Sequence, residues 1–581
     1  MLPNRNKNWS FTDLFSNLWI FIVIIVFAFI YTESLTFVYV EGDDASSMAY
    51  HLLGRNKDLQ PVYSAYQGMM DKMLSVLPPA EGLLRHVSML STGIAGILMV
   101  ILILKLVFEW VGSENIPSKK WLIAIVLLLA VPELFFFGLV YSPSLIAMCL
   151  LLIAHLVLRH VARNTNWLDF SDKKQIIYIV VSLLLFGFGV SFRWNTILYM
   201  GVIVVDVILL RSDASQPLMP HLKKRIGFGV LWLLFALISS IVMIFISGFG
   251  YADFVSTFNV ITFVLNQSGA ISVGSNVPLK DLILNAALTL SPMFTPAFGL
   301  LTLVGIIVFA RRRDPLILVV LVGVLSILPF AKSGVPKFII TSLPVFVLCF
   351  VQGLITLWSR LGNGRVKLAV NLALFLLLLA PWVFGLRIAR EGTAYGPGFE
   401  MRPYDYVDIT GGMQFSVRLN SGAAFPTPEG QRPLYGFGYA LIGGDWREFM
   451  LKKDAERTAV VQYAISSGYP IVTTNWSPDF YLDKLYEMGF KTNDPYYVSN
   501  QYFTQRNFTN SEHQSVTILI HGTEESEAND LVVHLLDPII KSNKVLITGY
   551  SSVMRFLYTH YPESMEAIGP ISAIMELDKL H

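Results

Sequence analysis

A succession of long apolar stretches constrains the fold of this chain more than any other feature of its sequence. About eleven of these stretches are long enough to cross the hydrocarbon core of a bilayer as a helix. They fall at residues 18–38, 88–108, 121–138, 143–158, 175–191, 195–210, 226–247, 283–310, 315–331, 338–358 and 366–387. Only 14% of the residues are charged, whereas soluble domains carry about 25%. The sequence therefore predicts a polytopic α-helical membrane protein in which the first stretch is retained as a helix.

Lysine and arginine residues occupy every second connection between these stretches. The basic clusters lie at residues 5–7, 119–120, 159–174, 211–225, 311–313 and 360–367. With eleven spans, all of these clusters fall on one side of the membrane, which the positive-inside rule identifies as cytoplasmic. We expect a multi-pass protein of the cell (plasma) membrane with a cytoplasmic N-terminus. The first external loop, residues 39–87, and the region after residue 389 then lie on the extracytoplasmic side.

Residues 390–581 differ from the rest of the chain in composition and pattern. They carry 15 Lys and Arg residues against 23 Asp and Glu residues, and strand-like segments alternate with helical ones. Strands are predicted at Pro470–Thr474, Val516–Ile520 and Lys544–Thr548, and helices at Ala455–Ser467, Phe480–Met488, Glu524–Ile540 and from Ser552. This alternation favours a small, partly parallel sheet. We therefore expect a transmembrane domain at 1–389 followed by a soluble, extracytoplasmic α/β domain at 390–581.

The cysteine and charge contents argue against several kinds of site. The two cysteines, Cys149 and Cys349, both lie in apolar stretches, so neither a disulfide framework nor a zinc cluster is supported. The basic excess of the first 390 residues is expected of cytoplasmic loops in a membrane protein. Nucleic acid is therefore not predicted as a partner, whereas membrane lipid is.

An acidic pair, Asp43-Asp44, follows the first apolar stretch and opens a long polar loop. Carboxylates at a membrane surface are costly to dehydrate unless they have a partner or a task. The pair is predicted either to supply a general base that deprotonates an acceptor hydroxyl or to hold a divalent cation. An ordinary solvated loop is the alternative. His51 and Arg55 follow within a few turns and are candidates for substrate contacts at the same site.

Three cations are candidates for binding a phosphate at the bilayer interface. Arg193, Lys332 and Lys337 fall at the predicted outer ends of apolar stretches. A cation in that position can bind a phosphate and stabilise it as a leaving group, although long basic side chains also extend to the interface without any such task. Arg193 interrupts an apolar stretch and should need a partner. Glu133, after Pro132, is either a second carboxylate of the site or the partner of a neighbouring span.

Several of these segments resemble a known family when they are taken in order. Gly42-Asp43-Asp44, Pro132–Gly138 with Tyr141–Pro143, and Lys332–Lys337 with Leu343-Pro344 are similar to motifs of the GT-C superfamily of integral membrane glycosyltransferases. The mannosyltransferase/aminoarabinose-transferase branch is the most similar. The chain has Asp-Asp where that branch more often has Asp-Glu, which leaves open which aspartate is catalytic. The C-terminal region has no Trp-Trp-Asp motif, which argues against the oligosaccharyl branch.

The resemblance implies a fold, a reaction and a set of partners. It implies a GT-C-like fold and an inverting hexosyl- or pentosyltransferase that takes a sugar from a polyprenyl- or dolichyl-phosphate donor. The acceptor would be a lipid, a glycan or a protein outside the cytoplasm, with an aspartate of the first external loop as base. Two other classes stay open, a transporter or lipid flippase and a non-catalytic anchor of the C-terminal domain. Transporters usually contain internal repeats, and the sequence has none that we can detect.

Overall fold

The computed structural model divides into two compact units, a helical one built mainly from Leu90–Trp382 and a second built mainly from Val383–His581. It describes residues 18–28, 76, 81–112, 120–131, 142–164, 173–210, 222–247, 296–326, 340–361, 364–365, 368–378, 393–395, 399–401, 445–474, 484–485, 488–491, 498–499, 502–521, 528–548, 551–569 and 572–580.

The helical unit consists of apolar helices joined by turns and loops. Its described helices are α1 (Leu18–Ala28), α2 (Glu81–Val111), α3 (Lys120–Ala130), α4 (Ser142–Asn164), α5 (Lys173–Phe192), α6 (Tyr199–Leu209), α7 (Leu222–Ser247), α8 (Pro296–Arg312), α9 (Leu316–Leu325), α10 (Leu343–Arg360) and α11 (Leu368–Leu378). Short 3-10 helices, Trp194–Leu198 and Ile340–Ser342, precede α6 and α10.

Five of the described helices are long and apolar enough to cross a membrane. These segments are Gly93–Val111, Pro143–Arg163, Lys173–Phe192, Leu222–Ile246 and Ile340–Arg360. Large apolar side chains are also exposed on the helix surfaces, for example Ile177 (58%), Ile246 (65%) and Leu300 (58%). Exposed apolar faces of this extent are expected where helices meet lipid rather than water. The chain is thus a polytopic helical membrane protein, and its number of spans, eleven, stays a prediction.

Helices α8 and α10 approach each other more closely than side chains of ordinary size would permit. A Cβ atom added at Gly305 would overlap the carbonyl oxygen of Cys349, and one added at Gly353 would overlap that of Leu301. The rings of Phe298 and Phe350 stack nearby, with centroids 4.8 Å apart. Small residues let helix backbones approach closely where lipid provides no hydrophobic driving force. The two glycines therefore fix the α8–α10 contact.

The second unit contains a seven-stranded mixed sheet. Its elements in chain order are a separate hairpin of β1 (Thr393–Tyr395) and β2 (Phe399–Met401), then α12 (Asp445–Ser467), β3 (Ile471–Thr474), β4 (Val498–Ser499), β5 (Phe503–Thr509), β6 (Ser515–His521), α13 (Ala528–His534), β7 (Lys544–Thr548), α14 (Ser551–His560), β8 (Met565–Gly569) and β9 (Ser572–Glu576). The strand order is β4-β5-β6-β3-β7-β9-β8. Strand β3 pairs in parallel with β6 and β7, and the other pairs are antiparallel.

Both faces of this sheet are buried, because successive residues of the central strands point to opposite sides. Ile471 packs with Val460 and Val461 of α12 on one face. Val472 packs on the other face in the cluster that contains Leu531 of α13 and Leu557 of α14. A strand covered on both faces carries a continuous apolar run, which explains why the sequence of β3 shows no alternation.

The predicted strands at 470–474, 516–520 and 544–548 are present, and the predicted helix at 455–467 forms the second half of α12. The predicted helix over 524–540 is wrong in length, because its described part ends at His534. Pro538 follows, and the residue before a proline disfavours the helical conformation. Strands β5, β8 and β9 were not predicted.

Cys149 and Cys349 are both buried and free.

Candidate functional site

A cavity of about 970 Å³ opens in the helical unit where several helix ends meet. The beginnings of α1, α3 and α9 and the ends of α2, α4, α6 and α8 surround it. Its lining consists of Trp19, Ile20, Lys105, Phe108, Glu109, Trp110, Val111, Gly112, Lys120, Arg159, Arg163, Asp206, Leu209, Leu210, Arg312, Arg313, Asp314, Pro315 and Leu316. Because helices begin and end here alternately, the cavity marks one end of the helical unit.

The charged residues of the lining are mostly cationic. Six lysines and arginines face three carboxylates, a formal excess of three positive charges. Four of these six cations, Lys105, Lys120, Arg312 and Arg313, form no ion pair with a carboxylate in the part of the chain that the structure describes. The Nζ atom of Lys120 lies 5.7 Å from the centroid of the Phe108 ring, within the range of a cation–π contact.

Asp206 lies at the floor of the cavity and is almost completely buried, with 1% of its surface exposed. Its carboxylate accepts a hydrogen bond from Trp110 Nε1 (2.7 Å) and is paired with the Arg159 guanidinium. The ring atom Nε2 of His155 lies 2.8 Å from Asp206 Oδ2. Three buried partners from α2 and α4 thus converge on one carboxylate of α6, so these three helices are tied together at the floor of the cavity.

The hydrogen bonds around His155 assign its tautomer. A carboxylate can only accept hydrogen bonds, so Nε2 of His155 carries the proton that points at Asp206. The opposite ring atom, Nδ1, lies 3.0 Å from the hydroxyl of Tyr199, and in the neutral ring it accepts a hydrogen bond from that hydroxyl. In this tautomer the hydrogen bonds run in one direction, from the hydroxyl of Tyr199 to His155 and from His155 to the carboxylate of Asp206.

Glu109 joins two arginines at the wall of the cavity. Its Oε2 atom lies 3.3 Å from Nε of Arg159 and 3.3 Å from Nη1 of Arg163. The backbone carbonyl of Glu109 also accepts a hydrogen bond from Arg163, at 3.2 Å. The charge of Arg159 is therefore balanced by two carboxylates of the protein itself, one from α2 and one from α6.

The turn between α8 and α9 holds an arginine in an unusual conformation. Arg313 has φ of 51°, in the left-handed region that favours glycine. Its N–H donates to the carbonyl of Ala310 (3.1 Å), and the N–H of Asp314 donates to that of Phe309 (3.0 Å). These two bonds form a Schellman motif, whose left-handed position is usually a glycine. Placing a side chain there costs about 1–2 kcal/mol.

Arg193 is the predicted site residue that the structure describes. It is extended between α5 and the 3-10 helix Trp194–Leu198, and 1% of its surface is exposed. Its N–H donates to the carbonyl of Gly189 (3.2 Å), and its own carbonyl accepts from the Thr196 hydroxyl (2.6 Å). The apolar stretch is indeed broken here. A role of Arg193 in binding phosphate stays a prediction.

Arg193 lies at the end of the helical unit that is remote from the cavity. Helix α4 ends at the cavity with Arg159 and Arg163, and α5 packs against it in the opposite direction. Near the cavity end the rings of His160 and Tyr178 have centroids 6.0 Å apart, and near the other end Gly189 contacts Leu151 of α4. The other predicted site residues lie outside the described residues; they are Asp43, Asp44, His51, Arg55, Glu133, Lys332 and Lys337.

The residues around the cavity were not predicted from the sequence. Asp206 and His155 each interrupt a predicted span, and an ionisable residue inside a membrane helix is by default a candidate for function. That signal could have found them. Among the residues that the structure describes, no cluster of three His, Cys, Asp or Glu side chains could hold a metal ion. The cavity is suited to an anion rather than a cation, because its unpaired charges are positive.

The fold defines the chain as an integral membrane protein with a polytopic helical unit and a C-terminal sheet. No family model and no curated protein matches its sequence. The chain is similar to the crystal structure of ArnT from Cupriavidus metallidurans in the apo state, with 11% identity and a TM-score of 0.48 over 97% of this chain and 98% of that one. It is also similar to the archaeal oligosaccharyltransferase AglB from Archaeoglobus fulgidus, solved in complex with an inhibitory peptide and a dolichol-phosphate. There the identity is 13% and the TM-score 0.38, over 82% of this chain and 64% of that one.

Proposed function

We propose that this chain is a membrane glycosyltransferase of the GT-C superfamily. It moves a hexose or pentose from a polyprenyl-phosphate donor to an extracytoplasmic lipid, glycan or protein. The reaction belongs to a transmembrane domain at 1–389, and the C-terminal domain at 390–581 lies on the same side of the membrane as the reacting groups. The observation that carries the proposal is the direction of the helices that lead to and from the predicted reactive residues.

The cavity gives these directions. Helices α1, α3 and α9 begin at the cavity and run away from it, so residues 29–80, 132–141 and 327–339 follow their remote ends. The predicted reactive residues of these three connections are Asp43, Asp44, His51, Arg55, Glu133, Lys332 and Lys337. Arg193 lies between α5 and α6 at the same remote end. The connectivity supports a single reactive end to which both the acidic pair and the phosphate-binding cations belong.

The chemistry assigns a different task to each charge. Asp43 or Asp44 accepts the proton of an acceptor hydroxyl, whose oxygen attacks the anomeric carbon of the donor sugar. The bond between that carbon and the phosphate oxygen breaks, and the polyprenyl phosphate leaves with the electron pair. Attack from the side opposite the phosphate inverts the anomeric centre. The acidic pair is also the candidate site for a divalent cation, if the reaction uses one.

Burial of Arg193 suits the stabilisation of a leaving phosphate. A charge with 1% exposure acts in a medium of low effective dielectric constant, where its attraction for an anion is several times stronger than in water. Lys332 and Lys337 supply further positive charge on the same side of the membrane. His51, Arg55 and Glu133 are the candidates for contacts to the sugar and the acceptor.

The test is a donor-consumption assay with the purified full chain. Radiolabelled polyprenyl-phosphate sugars are supplied with a membrane lipid extract as acceptor, with and without a chelator of divalent cations. Asp43→Asn and Asp44→Asn are compared with Asp58→Asn, which removes a carboxylate from the same loop. We expect one of the pair to nearly abolish turnover, the other to weaken it, and Asp58→Asn to retain it.

Two results would contradict the proposal. Equal and near-normal activity in both Asp43→Asn and Asp44→Asn would remove the acidic pair from the mechanism. A folded wild-type chain that consumes no donor would favour the transporter or the anchor class. Loss of turnover on chelation would show that the acidic pair binds a divalent cation. Full turnover with the chelator would show that the pair acts as a general base without a cation.

A further inference from the structure

We propose that the cavity between the ends of α1, α2, α3, α4, α6, α8 and α9 is a binding site for a phosphate ester. The site lies at the end of the helical unit remote from Arg193, and it does not depend on the proposed transfer reaction. It rests on three features of the described residues, namely the excess of charge, the conformation of Arg313 and the mixed lining of the wall.

The charges of the cavity divide into a compensated and an uncompensated set. Arg159 and Arg163 are held by Asp206 and Glu109. Asp314, the third carboxylate, accepts the backbone N–H of Leu316 at 3.0 Å. In the described ranges no carboxylate pairs with the four remaining cations, Lys105, Lys120, Arg312 and Arg313. Like charges around one cavity repel each other, and an anion bound between them relieves that repulsion.

Arg313 is held where the backbone would accept glycine without strain. Its φ of 51° and the two bonds of the Schellman motif persist although the side chain is unfavourable there. Strained backbone of this kind clusters at functional sites, because the surrounding structure holds a side chain in a chosen direction. The side chain of Arg313 lines the cavity, whereas that of Arg311, two residues earlier in the same turn of chain, does not.

The chemistry of the lining favours a phosphate bonded to carbon. Arginine presents a planar fork that matches two phosphate oxygens, and lysine adds a compact point charge. The volume of about 970 Å³ is much larger than a phosphate group requires. Trp19, Phe108 and Leu316 supply apolar wall beside the cations, which suits the carbon atoms attached to the phosphate. The ligand is either the headgroup of an anionic phospholipid or a soluble phosphate ester.

Two arms of one binding experiment distinguish these sources. The purified, delipidated full chain is titrated with radiolabelled phosphatidate in phosphatidylcholine nanodiscs, and separately with radiolabelled glycerol phosphate in nanodiscs of phosphatidylcholine alone. Arg313→Gly removes the side chain and relieves the backbone. Arg311→Gln removes the same charge from the same segment but outside the cavity, and it is the matched control.

We expect Arg313→Gly to lower the affinity roughly tenfold, because a hydrogen bond to a charged group contributes enough for that ratio. Its melting temperature should equal or exceed that of the wild type, which distinguishes a lost contact from a damaged fold. Arg311→Gln should change the affinity less than about twofold, since Arg311 does not line the cavity and charges farther from a bound anion are screened by salt.

Each outcome decides the proposal. Saturable binding of phosphatidate alone assigns the cavity to a lipid headgroup, and binding of glycerol phosphate assigns it to a soluble ester. Failure of both ligands to bind the wild-type chain overturns the proposal. Equal losses in Arg313→Gly and Arg311→Gln also overturn it, because they would show a diffuse surface charge instead of a site. Asp43→Asn and Asp44→Asn should bind both ligands as the wild type does, whatever their transferase activity.

Discussion

Replacing Asp206 by asparagine tests whether the buried network at the floor of the cavity stabilises the helical unit. The substitution keeps the shape of the side chain and removes its charge. Arg159, with 3% of its surface exposed, would retain Glu109 at 3.3 Å and lose the closer partner. The amide group would also bring its own N–H groups towards donors of Trp110 and His155.

The expected loss follows from these contacts. Breaking a buried ion pair by removing one partner costs about 3–5 kcal/mol, and a buried donor left without an acceptor costs about 1–3 kcal/mol. Glu109 retains part of the compensation, so we expect Asp206→Asn to lower the free energy of unfolding by about 3–5 kcal/mol in total. The double variant Asp206→Leu/Arg159→Met should recover part of this loss, because it removes both charges together but leaves the donors of Trp110 and His155 without their acceptor.

The assay is unfolding by dodecyl sulfate in mixed micelles, followed by the helical circular dichroism signal. Asp314→Asn is the control, since asparagine can still accept the N–H of Leu316 that Asp314 accepts at 3.0 Å. It should change the free energy by less than about 1 kcal/mol. The reasoning would be refuted by an Asp206→Asn variant as stable as Asp314→Asn, or by a double variant no more stable than the single one.

Two further predictions concern the helix contact and the sheet. Gly305→Ala should destabilise the helical unit by about 1–3 kcal/mol through overpacking, because its Cβ would overlap the carbonyl of Cys349. The control is Gly299→Ala on the same helix, whose Cβ would meet no atom within 4 Å. This control should be neutral or slightly stabilising in the same dodecyl sulfate titration. In the sheet, burial and the neighbouring His534 lower the pKa of His521 from 6.5 to about 4. His521 therefore binds a proton less readily in the folded chain than in the unfolded chain. The free energy of unfolding should reach its full value above pH 6.5 and fall by up to about 3 kcal/mol between pH 6.5 and 4. His521→Gln should flatten this dependence in guanidinium unfolding monitored between pH 4 and 8, and an unchanged slope would contradict the assignment.

The lengths of the apolar stretches carried much of the information about the helical unit. A backbone in lipid must satisfy its own hydrogen bonds, and an α-helix does so within a single segment. A sufficiently long apolar stretch is therefore expected to be helical. The stretch predicted at 175–191 is observed as Lys173–Phe192. The stretch predicted at 143–158 continues to Asn164, because Arg159 and Arg163 belong to the helix and turn their charges towards the cavity and Glu109.

The cavity itself was beyond the reach of sequence patterns. His155 and Asp206 are 51 residues apart and lie in different apolar stretches, so their pairing is set by helix packing. The conformation of Arg313 depends on the hydrogen bonds of the turn and leaves no mark in the residue types. Strand β5 was missed for a related reason, since Phe503–Thr509 contains Gln505, Arg506 and Asn507 and does not read as an apolar segment.

The network around Asp206 has a consequence for the order in which the chain is made. Arg159 precedes Asp206 by 47 residues in the chain, and an arginine buried among membrane helices needs a partner. Glu109, whose carbonyl accepts a bond from Arg159 at a separation of 50 residues, is by then already synthesised. We therefore expect Glu109 to pair with Arg159 first, and Asp206 to join the network once α6 has been made.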